Sequence, residues 1–294
     1  MESDSEEDIF EFEIVIMDVS IIIINYNTFN LIVDCIRSIY SKTSGVSYEI
    51  IVVDNNSPDR QIEKLTVIFP EIKLVLNSRN AGFGAGNNLG SNSALGKYLL
   101  FLNSDTILLN NAINEFYLYM DKHPEVGICG GNLYQIDGRP GVSFERRLPG
   151  VLRDLDNLFF MLFSKAKFGQ NLVHNLGDFA LKINGYVSGA DLCIPKDLFF
   201  QLGGFDEDFF MYYEETELTY RVLKNNKEVH VIPQSKIVHL EGGSQEGISA
   251  LKLGWMKESK ALYFEKTNTK GLWWSDFLNR LIGLRDQFVR KIKS

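Results

Sequence analysis

The sequence of 294 residues has few cysteines, no long apolar run and no basic segment at its start, and each absence argues against a class of protein. Its three cysteines, Cys35, Cys129 and Cys193, form neither a CxxC pair nor a Cys/His cluster, which predicts buried, reduced thiols instead of disulfides or a zinc site. No stretch approaches the ~20 apolar residues of a membrane-spanning helix. Because no basic segment followed by an apolar one begins the chain, we expect no secretory signal and a cytoplasmic protein.

Charge is distributed unevenly along the chain. Residues 1–18 contain eight Asp and Glu and no Lys or Arg, which accounts for the whole formal net charge of −8 and predicts a solvated acidic tail. The rest of the chain is balanced, and we expect no nucleic-acid partner. The opposite bias appears at the other end, where residues 252–294 carry ten Lys and Arg and four Asp and Glu.

Apolar runs that alternate with amphipathic segments predict an α/β fold with a mostly parallel sheet. Buried strands are predicted at Val19–Ile24, Glu49–Val53, Ile72–Leu76 and Tyr98–Leu102, and helices around Leu31–Ser41, Asn111–His123 and Glu214–Lys224. A hairpin is predicted around Asp137 and Gly138, whereas residues 150–180 show no clear pattern. Right-handed crossovers would bring the loops after the first four strands to one edge of the sheet, where open α/β sheets bind their ligands.

The loops at that edge lack the usual cofactor motifs. NYNTFN, after the first strand, has no glycine, and GxxxxGK[ST] is absent, which argues against NAD and P-loop sites. The later loop NAGFGAGNN enters a helix and suits a diphosphate. Since these loops contain no lysine, the diphosphate would need a dication with oxygen ligands, and Asp105 after the strand YLLFL is placed to be one. An Asp there is also a common turn former or N-cap.

Several motifs in a fixed order resemble those of the family-2 glycosyltransferases. They are NYN (25–27), VVDNNSPD (52–59), NAGFGAGNN (80–88), LLFLNSD (99–105), GGFDEDFFMYYEETELTYR (203–221) and HLEGGS (239–244). The resemblance covers about residues 19–264 and is greatest to the rhamnosyltransferase-like branch. It implies a GT-A fold, that is, a Rossmann-like, mostly parallel central sheet flanked by helices, here with a helical C-terminal extension. The implied division is an acidic tail (1–18), a nucleotide-sugar-binding half (19–140), an acceptor-binding half (141–245) and a basic amphipathic segment (246–294).

The resemblance also implies which residues bind the donor and a metal. It places three side chains at the nucleobase and ribose: Asn25, Asn27 and Asp54. It places four residues near the diphosphate and sugar: Asn80, Gly84, Gly86 and Asn87. Asn103 and Asp105 match the family's Asn-x-Asp form of the DxD motif, with Asp105 as a metal ligand. His239 matches a second metal-binding position, although a histidine at a strand end can also be purely structural. The implied cofactor is Mg or Mn, and imidazole suits Mn well.

Acidic residues near residue 215 are candidates for the general base of the reaction. In the family an acidic pair contains the general base, and the matching string Glu214-Glu215-Thr216-Glu217 points to Glu215, with glutamate at two positions where the family usually has aspartate. Glu217 and Arg221 are spaced as an i, i+4 ion pair. Asp191, in the segment VSGADLCI, either touches a sugar hydroxyl or caps a turn.

The implied function is transfer of a sugar from dTDP-rhamnose or a UDP-hexose to a hydroxyl of a glycan or lipid-linked acceptor, with inversion, in surface polysaccharide synthesis. Two alternatives stay open: a sugar-phosphate nucleotidyltransferase, and a degenerate protein that binds nucleotide sugars without catalysis. For the C-terminal segment, packing on the domain or a homodimer helix competes with peripheral contact on the inner face of the membrane. The last hypothesis rests on Trp274, Phe277, Leu281 and Leu284, which share one helical stripe with basic residues interspersed.

Overall fold

Within the part of the chain that the computed structural model describes, residues 17–240, 250–267 and 269–293, the apolar runs form one nine-stranded sheet and a separate two-stranded one. The strands are β1 (Val19–Asn25), β2 (Tyr48–Asp54), β3 (Lys73–Leu76), β4 (Tyr98–Leu102), β5 (Thr106–Leu108), β6 (Val126–Tyr134), β7 (Phe144–Glu145), β8 (Leu181–Ile183), β9 (Tyr186–Val187), β10 (Asp191–Pro195) and β11 (Glu228–His239). Most of the predicted acidic tail lies outside the described residues, and so do residues 241–244 of the segment HLEGGS.

The large sheet has the order β3-β2-β1-β4-β10-β6-β11-β5, with β8 on β11. Six of its nine described strands run in one direction, and β5, β8 and β10 run in the other. The parallel arrangement of the first four strands confirms the prediction from the βαβ pattern. β7 and β9 form the small second sheet.

Helices cover both faces of the sheet, because alternate side chains of the strands point to opposite sides. Ile21 and Ile23 pack in one apolar cluster with residues of α1 and α4, whereas Ile22 packs in another with residues of α7 and α8. The helices are α1 (Phe29–Lys42), α2 (Leu65–Ile68), α3 (Phe83–Ser91), α4 (Ala112–Lys122), α5 (Val151–Leu158), α6 (Leu162–Phe168), α7 (Lys196–Gln201), α8 (Glu214–Lys224), α9 (Ala250–Lys266) and α10 (Leu272–Lys293). The three cysteines are buried and unpaired, as predicted.

The second half of the sheet departs from the simple alternation. β11 is twelve residues long, although the sequence gives only a weak strand signal there. It contains Pro233, which cannot donate to a ladder, and the pairing of β11 with β6 shifts register between Val231 and Lys236 to accommodate it. The predicted turn at Asp137 and Gly138 is present, with the Gly138 N–H donating to the carbonyl of Gln135.

Two C-terminal helices complete the described structure. α9 packs on the domain through Tyr263 and Phe264, which form an apolar cluster with Phe209. α10 lies along α5 and buries Leu278. None of the helices in the described ranges is long and apolar enough to cross a membrane.

Candidate active site

The carboxyl ends of β1, β2 and β4 meet at one edge of the sheet and form the floor of a pocket of about 620 Å³. β4 ends at Leu102, so the next three residues turn into this pocket before β5 begins. β5 pairs with β11 in a register that places His239 opposite Thr106. This register brings the Nε2 of His239 to 3.3 Å from a carboxylate oxygen of Asp105 and to 3.3 Å from the Nδ2 of Asn103. Asn103, Asp105 and His239 all line the pocket.

The side chains of this trio could coordinate a divalent cation that is also coordinated by a bound diphosphate. Among the described residues no group of three or more His, Cys, Asp or Glu side chains could hold a metal alone. Asp105 and His239 supply one carboxylate and one imidazole at the open side of the pocket, and oxygen atoms of a diphosphate would supply further ligands. A mixed oxygen and nitrogen set suits Mn²⁺ better than Mg²⁺.

Asn25 and Asp54 lie beneath the pocket wall and stabilise the loops that form it. The Nδ2 of Asn25 donates to Asp54 (2.6 Å) and to the hydroxyl of Ser57 (3.0 Å), while its Oδ1 accepts from the backbone and hydroxyl of Thr28. Asp54 also accepts the N–H and hydroxyl of Ser57. Both side chains are buried behind the pocket lining, and their role at the nucleobase and ribose stays a prediction. Asn27 does line it.

The glycine-rich loop contributes different residues from those expected. Asn80 and Gly82 line the pocket, and the side chain of Asn80 accepts the N–H of Gly82 at 3.1 Å. By contrast, Gly84 packs against Phe205, Gly86 packs against Asn55 and Ile24, and Asn87 is buried with its amide donating to the carbonyl of Phe83. Their predicted position near the diphosphate and sugar stays a prediction. Gly84 and Gly86 allow α3 to pack closely against Phe205, Asn55 and Ile24, whereas Gly82 forms part of the pocket surface.

Gly82→Ala is expected to destabilise the protein far more than Gly138→Ala. Both glycines have a left-handed backbone, with φ of +88° and +80°. A Cβ on Gly82 would lie 2.1 Å from the carbonyl oxygen of Phe210, whereas one on Gly138 would meet nothing within 4 Å. Urea denaturation should show a loss of about 1–2 kcal/mol for Gly138→Ala, the conformational cost alone, and a distinctly larger loss for Gly82→Ala. Equal losses would show that the segment at Phe210 moves freely.

One wall of the pocket comes from residues that the sequence did not indicate. Phe210 and Tyr212, in the loop before α8, line the cavity together with Lys252 and Trp255 of α9. The rings of Phe210 and Trp255 are in contact, with centroids 5.0 Å apart. The strand-end loops contain no lysine, so Lys252 of α9 adds a cation to the pocket that those loops do not supply. Aromatic side chains and a cation thus close a pocket whose floor is made of amides and carboxylates.

Glu214 and Glu215 begin α8 beside the pocket. Tyr212 and Tyr213 before them both have a left-handed backbone (φ of 70° and 71°), a costly conformation for bulky residues that is commonly found at functional sites. Burial and the adjacent charge of Glu215 raise the pKa of Glu214 well above its ordinary value, and one of its carboxylate oxygens has no hydrogen-bond partner. Burial also raises the pKa of Glu215.

The side chain of Glu215 is near the pocket although it does not line it. One of its carboxylate oxygens accepts the hydroxyl of Thr216 at 3.0 Å. A Cβ on Gly189 would lie 3.8 Å from the Cβ and Cγ of Glu215 and 3.7 Å from the ring of Phe83, which does line the pocket. A substrate group next to Gly189 would therefore come close to this carboxylate. The general-base role of Glu215 stays a prediction.

Glu217 and Arg221 form the predicted i, i+4 ion pair. The Nε of Arg221 donates to both carboxylate oxygens of Glu217, at 2.8 and 2.9 Å. The other guanidinium nitrogens donate to the carbonyls of Leu202 and Gly204. The pair thereby fixes the loop before α8, and we assign it a structural role in supporting the acidic segment.

Asp191 lies fully buried in the sheet, in contact with the backbone of a neighbouring strand. Its Oδ2 accepts the N–H of Gly131 at 2.8 Å, while its Oδ1 has no hydrogen-bond partner. Burial raises the pKa of Asp191 to about 7, against the opposing effects of the Gly131 N–H and of His239. The hydrogen bond that it makes is to a strand and not to a turn, and its contact with a sugar stays a prediction.

Asp191→Asn is expected to flatten the dependence of stability on pH. The pKa of Asp191 is 3.8 in the unfolded chain and about 7 in the folded one, so deprotonation above pH 3.8 favours unfolding until both states are ionised. The wild type should therefore lose stability as the pH rises from about 4 to about 7, by about 1.4 kcal/mol for each step of one in pH. The asparagine variant should lack this part of the loss in urea denaturation. Parallel curves for the two proteins would contradict the assigned pKa.

The fold and the pocket define a GT-A glycosyltransferase architecture. The crystal structure of GalNAc-T7 with UDP, GalNAc and Mn²⁺ superimposes with a TM-score of 0.61 at 15% identity, over 85% of this chain and 48% of that one. TarS of S. aureus in complex with UDP gives a TM-score of 0.56 at 15% identity, over 90% and 70% of the two chains. At such low identity these similarities concern the fold.

The chain belongs to glycosyl transferase family 2, whose family model matches residues 20–181. The low-salt glycan biosynthesis hexosyltransferase Agl10 of Haloferax volcanii is 30% identical over 71% of this chain, which spans 62% of the length of that relative. The N-acetylglucosaminyl-diphospho-decaprenol L-rhamnosyltransferase of Mycobacterium tuberculosis is 22% identical, over 76% of each chain. The resemblance seen in the sequence is thus confirmed at the level of the family.

Proposed function

We propose that this protein transfers a sugar from a nucleoside-diphosphate sugar to a hydroxyl group of a glycan or of a lipid-linked acceptor, with inversion of the anomeric carbon. The observation that carries the proposal is the convergence of Asn103, Asp105 and His239 at the carboxyl edge of the sheet, in a pocket of about 620 Å³. A pocket of this size accommodates a nucleotide sugar. Relatives named as a hexosyltransferase of glycan biosynthesis and as a rhamnosyltransferase support a hexose or rhamnose as the transferred sugar. We therefore propose a UDP-hexose or dTDP-rhamnose as the donor, and surface polysaccharide synthesis as the setting.

Each part of the pocket has a proposed task. Tyr26 and Asn27 bind the nucleobase and ribose, and the loop at Asn80 and Gly82 lies along the diphosphate. Asp105 and His239 hold Mn²⁺ or Mg²⁺, which when bound supplies positive charge for the leaving nucleoside diphosphate.

Glu215 is proposed to remove the proton from the acceptor hydroxyl as this oxygen bonds to the anomeric carbon and the bond to the diphosphate breaks. The proton stays on the carboxylate until solvent takes it, and a single displacement inverts the centre. Burial raises the pKa of Glu215, which makes its carboxylate a stronger base than an exposed glutamate.

A panel of nucleotide sugars tests the proposal without knowledge of the acceptor. In the presence of Mn²⁺, we expect slow hydrolysis of one donor, a UDP-hexose or dTDP-rhamnose, to the nucleoside diphosphate and the free sugar. The control reaction, in which a nucleoside triphosphate is incubated with a sugar 1-phosphate, should release no inorganic pyrophosphate. Release of pyrophosphate in this control would instead establish a nucleotidyltransferase. Binding of a nucleotide sugar without turnover of any donor would indicate a non-catalytic protein.

A further inference from the structure

An exposed apolar surface lies on α5, α6 and α10. We call it the α5–α6–α10 surface and define it by six exposed side chains: Phe159, Leu162, Phe163, Trp273, Trp274 and Phe277. Trp273 is 68% exposed and Phe163 is 66% exposed, which is unusual for side chains of this size. A soluble domain seldom exposes so many large apolar groups together unless they contact something.

Specific contacts hold the helices of this surface together. The hydroxyl of Ser275 on α10 donates to the buried carboxylate of Asp154 on α5. Further along, the guanidinium of Arg285 lies 4.1 Å from the centroid of the Phe160 ring and donates to the carbonyl of Leu158. The exposed aromatic side chains of the α5–α6 turn and of α10 therefore belong to one assembled unit.

The turn between α5 and α6 is held in a costly conformation. Phe160 and Met161 are consecutive bulky residues, both with φ of +58°. The carboxylate of Asp156 accepts the backbone N–H groups of Phe163 and Ser164 and fixes this turn. Such strain persists only where the surrounding structure enforces it, and it is concentrated at functional surfaces. Here its result is that large apolar side chains point into solvent.

The acidic side chains on these helices are either buried or paired with cations, whereas two lysines of α6 are exposed. From residue 150 to residue 177 the acids are Asp154 and Asp156, and both are buried and hydrogen-bonded, whereas Lys165 and Lys167 are exposed. The acids on the described part of α10 are paired with cations: Asp276 with Lys260 at 3.0 Å, and Asp286 with Arg285 at 2.7 Å. Arg280 on α10 is exposed as well.

We propose that the α5–α6–α10 surface docks on an anionic lipid bilayer, with the aromatic rings at the level of the headgroups and the basic side chains on lipid phosphates. Aromatic and basic side chains together are what an interfacial site requires. A second copy of this chain fits less well, since a twofold contact would bring two copies of the same basic surface together. The sequence pointed to α10 alone, whereas the structure adds α5 and α6 as half of the surface. The proposal does not depend on glycosyl transfer, because binding is measured without donor or acceptor.

Vesicle co-sedimentation of the full chain tests the proposal with two paired variants. Lys165→Ala/Lys167→Ala should lower the partition coefficient on phosphatidylglycerol-containing vesicles about 25-fold at low salt, at roughly fivefold for each basic residue. The matched control, Lys64→Ala/Lys122→Ala, removes two exposed lysines outside the surface and should bind like the wild type.

A second pair of variants tests whether the two apolar halves act together. Phe163→Ser/Trp273→Ser, with one change in each half, should lose binding at least tenfold. The control Val67→Ser/Ile136→Ser alters side chains that are 84% and 83% exposed elsewhere and should bind like the wild type. Circular dichroism checks that all four variants are folded.

Several outcomes would overturn the proposal. They are no sedimentation of the wild type with anionic vesicles at low salt, equal binding by the surface variants and their controls, and equal binding to purely zwitterionic vesicles. If ultracentrifugation without lipid shows a dimer that Phe163→Ser/Trp273→Ser dissociates, the surface is an interface between copies instead.

Discussion

Glu215→Gln is expected to lower the turnover of sugar transfer by about 10²–10⁴, the usual cost of removing a positioned general base. Glutamine keeps the size of the side chain and can still accept the hydroxyl of Thr216, so donor affinity should change little. A loss in kcat without a matching loss in donor binding, measured by steady-state kinetics and calorimetry, is the predicted result.

Neighbouring glutamates provide the controls for this substitution. Glu214→Gln puts a neutral amide in place of a buried carboxyl whose pKa is raised, and Glu217→Gln weakens the ion pair with Arg221, so both should act mainly on stability. The dependence of activity on pH further distinguishes a general base from a residue that acts on stability. Because burial raises the pKa of Glu215, activity should rise with pH through that raised pKa as the base ionises, and Glu215→Gln should lack this limb. A mild effect of Glu215→Gln beside a severe effect of Glu214→Gln would move the base to Glu214.

Asp105→Ala is expected to abolish the dependence of nucleoside diphosphate binding on Mn²⁺. Loss of an outer partner of a metal ligand already costs about 10–100-fold in metal affinity, and loss of a carboxylate ligand should cost more. The side chain is largely buried but lies at the pocket surface, so the variant should remain folded. Calorimetric titration of UDP and dTDP with and without Mn²⁺ measures the effect, and Asp59→Ala, which removes an exposed carboxylate of another loop, is the control. Equal affinity of Asp105→Ala and the wild type in saturating Mn²⁺ would remove Asp105 from the site.

The first four strands and the position of Asp105 could be predicted because their signals are local. β4 is buried on both faces, and its five residues are all apolar or aromatic. The chain must turn after such a strand, so the polar residues behind it fall at the carboxyl edge whatever the rest of the fold does. The same argument placed the loops after β1 and β2 correctly.

Features that depend on distant pairing could not be predicted from the residues alone. His239 lies beside Asp105 because β11 pairs with β5 in one register, although the two strands are far apart along the chain. Lys252 and Trp255 reach the pocket only because α9 packs back on Phe209. Asp191 is buried in strand β10. The apolar pattern of the surrounding residues predicts a buried strand there but does not predict that the carboxylate is buried with it.

The glycine-rich loop and the α5–α6 region show two further limits of prediction from the sequence. The spacing of the glycines predicts a loop, but only the approach of Phe210 to Gly82 decides which glycine forms the pocket surface. Residues 150–180 show no clear pattern in the sequence, and the structure shows that many of their large apolar side chains, such as Phe163, are exposed instead of packed in a core.

Anomalous diffraction at the manganese edge, from crystals soaked with Mn²⁺ and either UDP or dTDP, tests the central claim most directly. The account predicts one strong peak within coordinating distance of Asp105 and His239, with the diphosphate on the same ion and the base beside Tyr26 and Asn27. A nucleotide bound elsewhere, or bound in this pocket with the ion away from both residues, would contradict it.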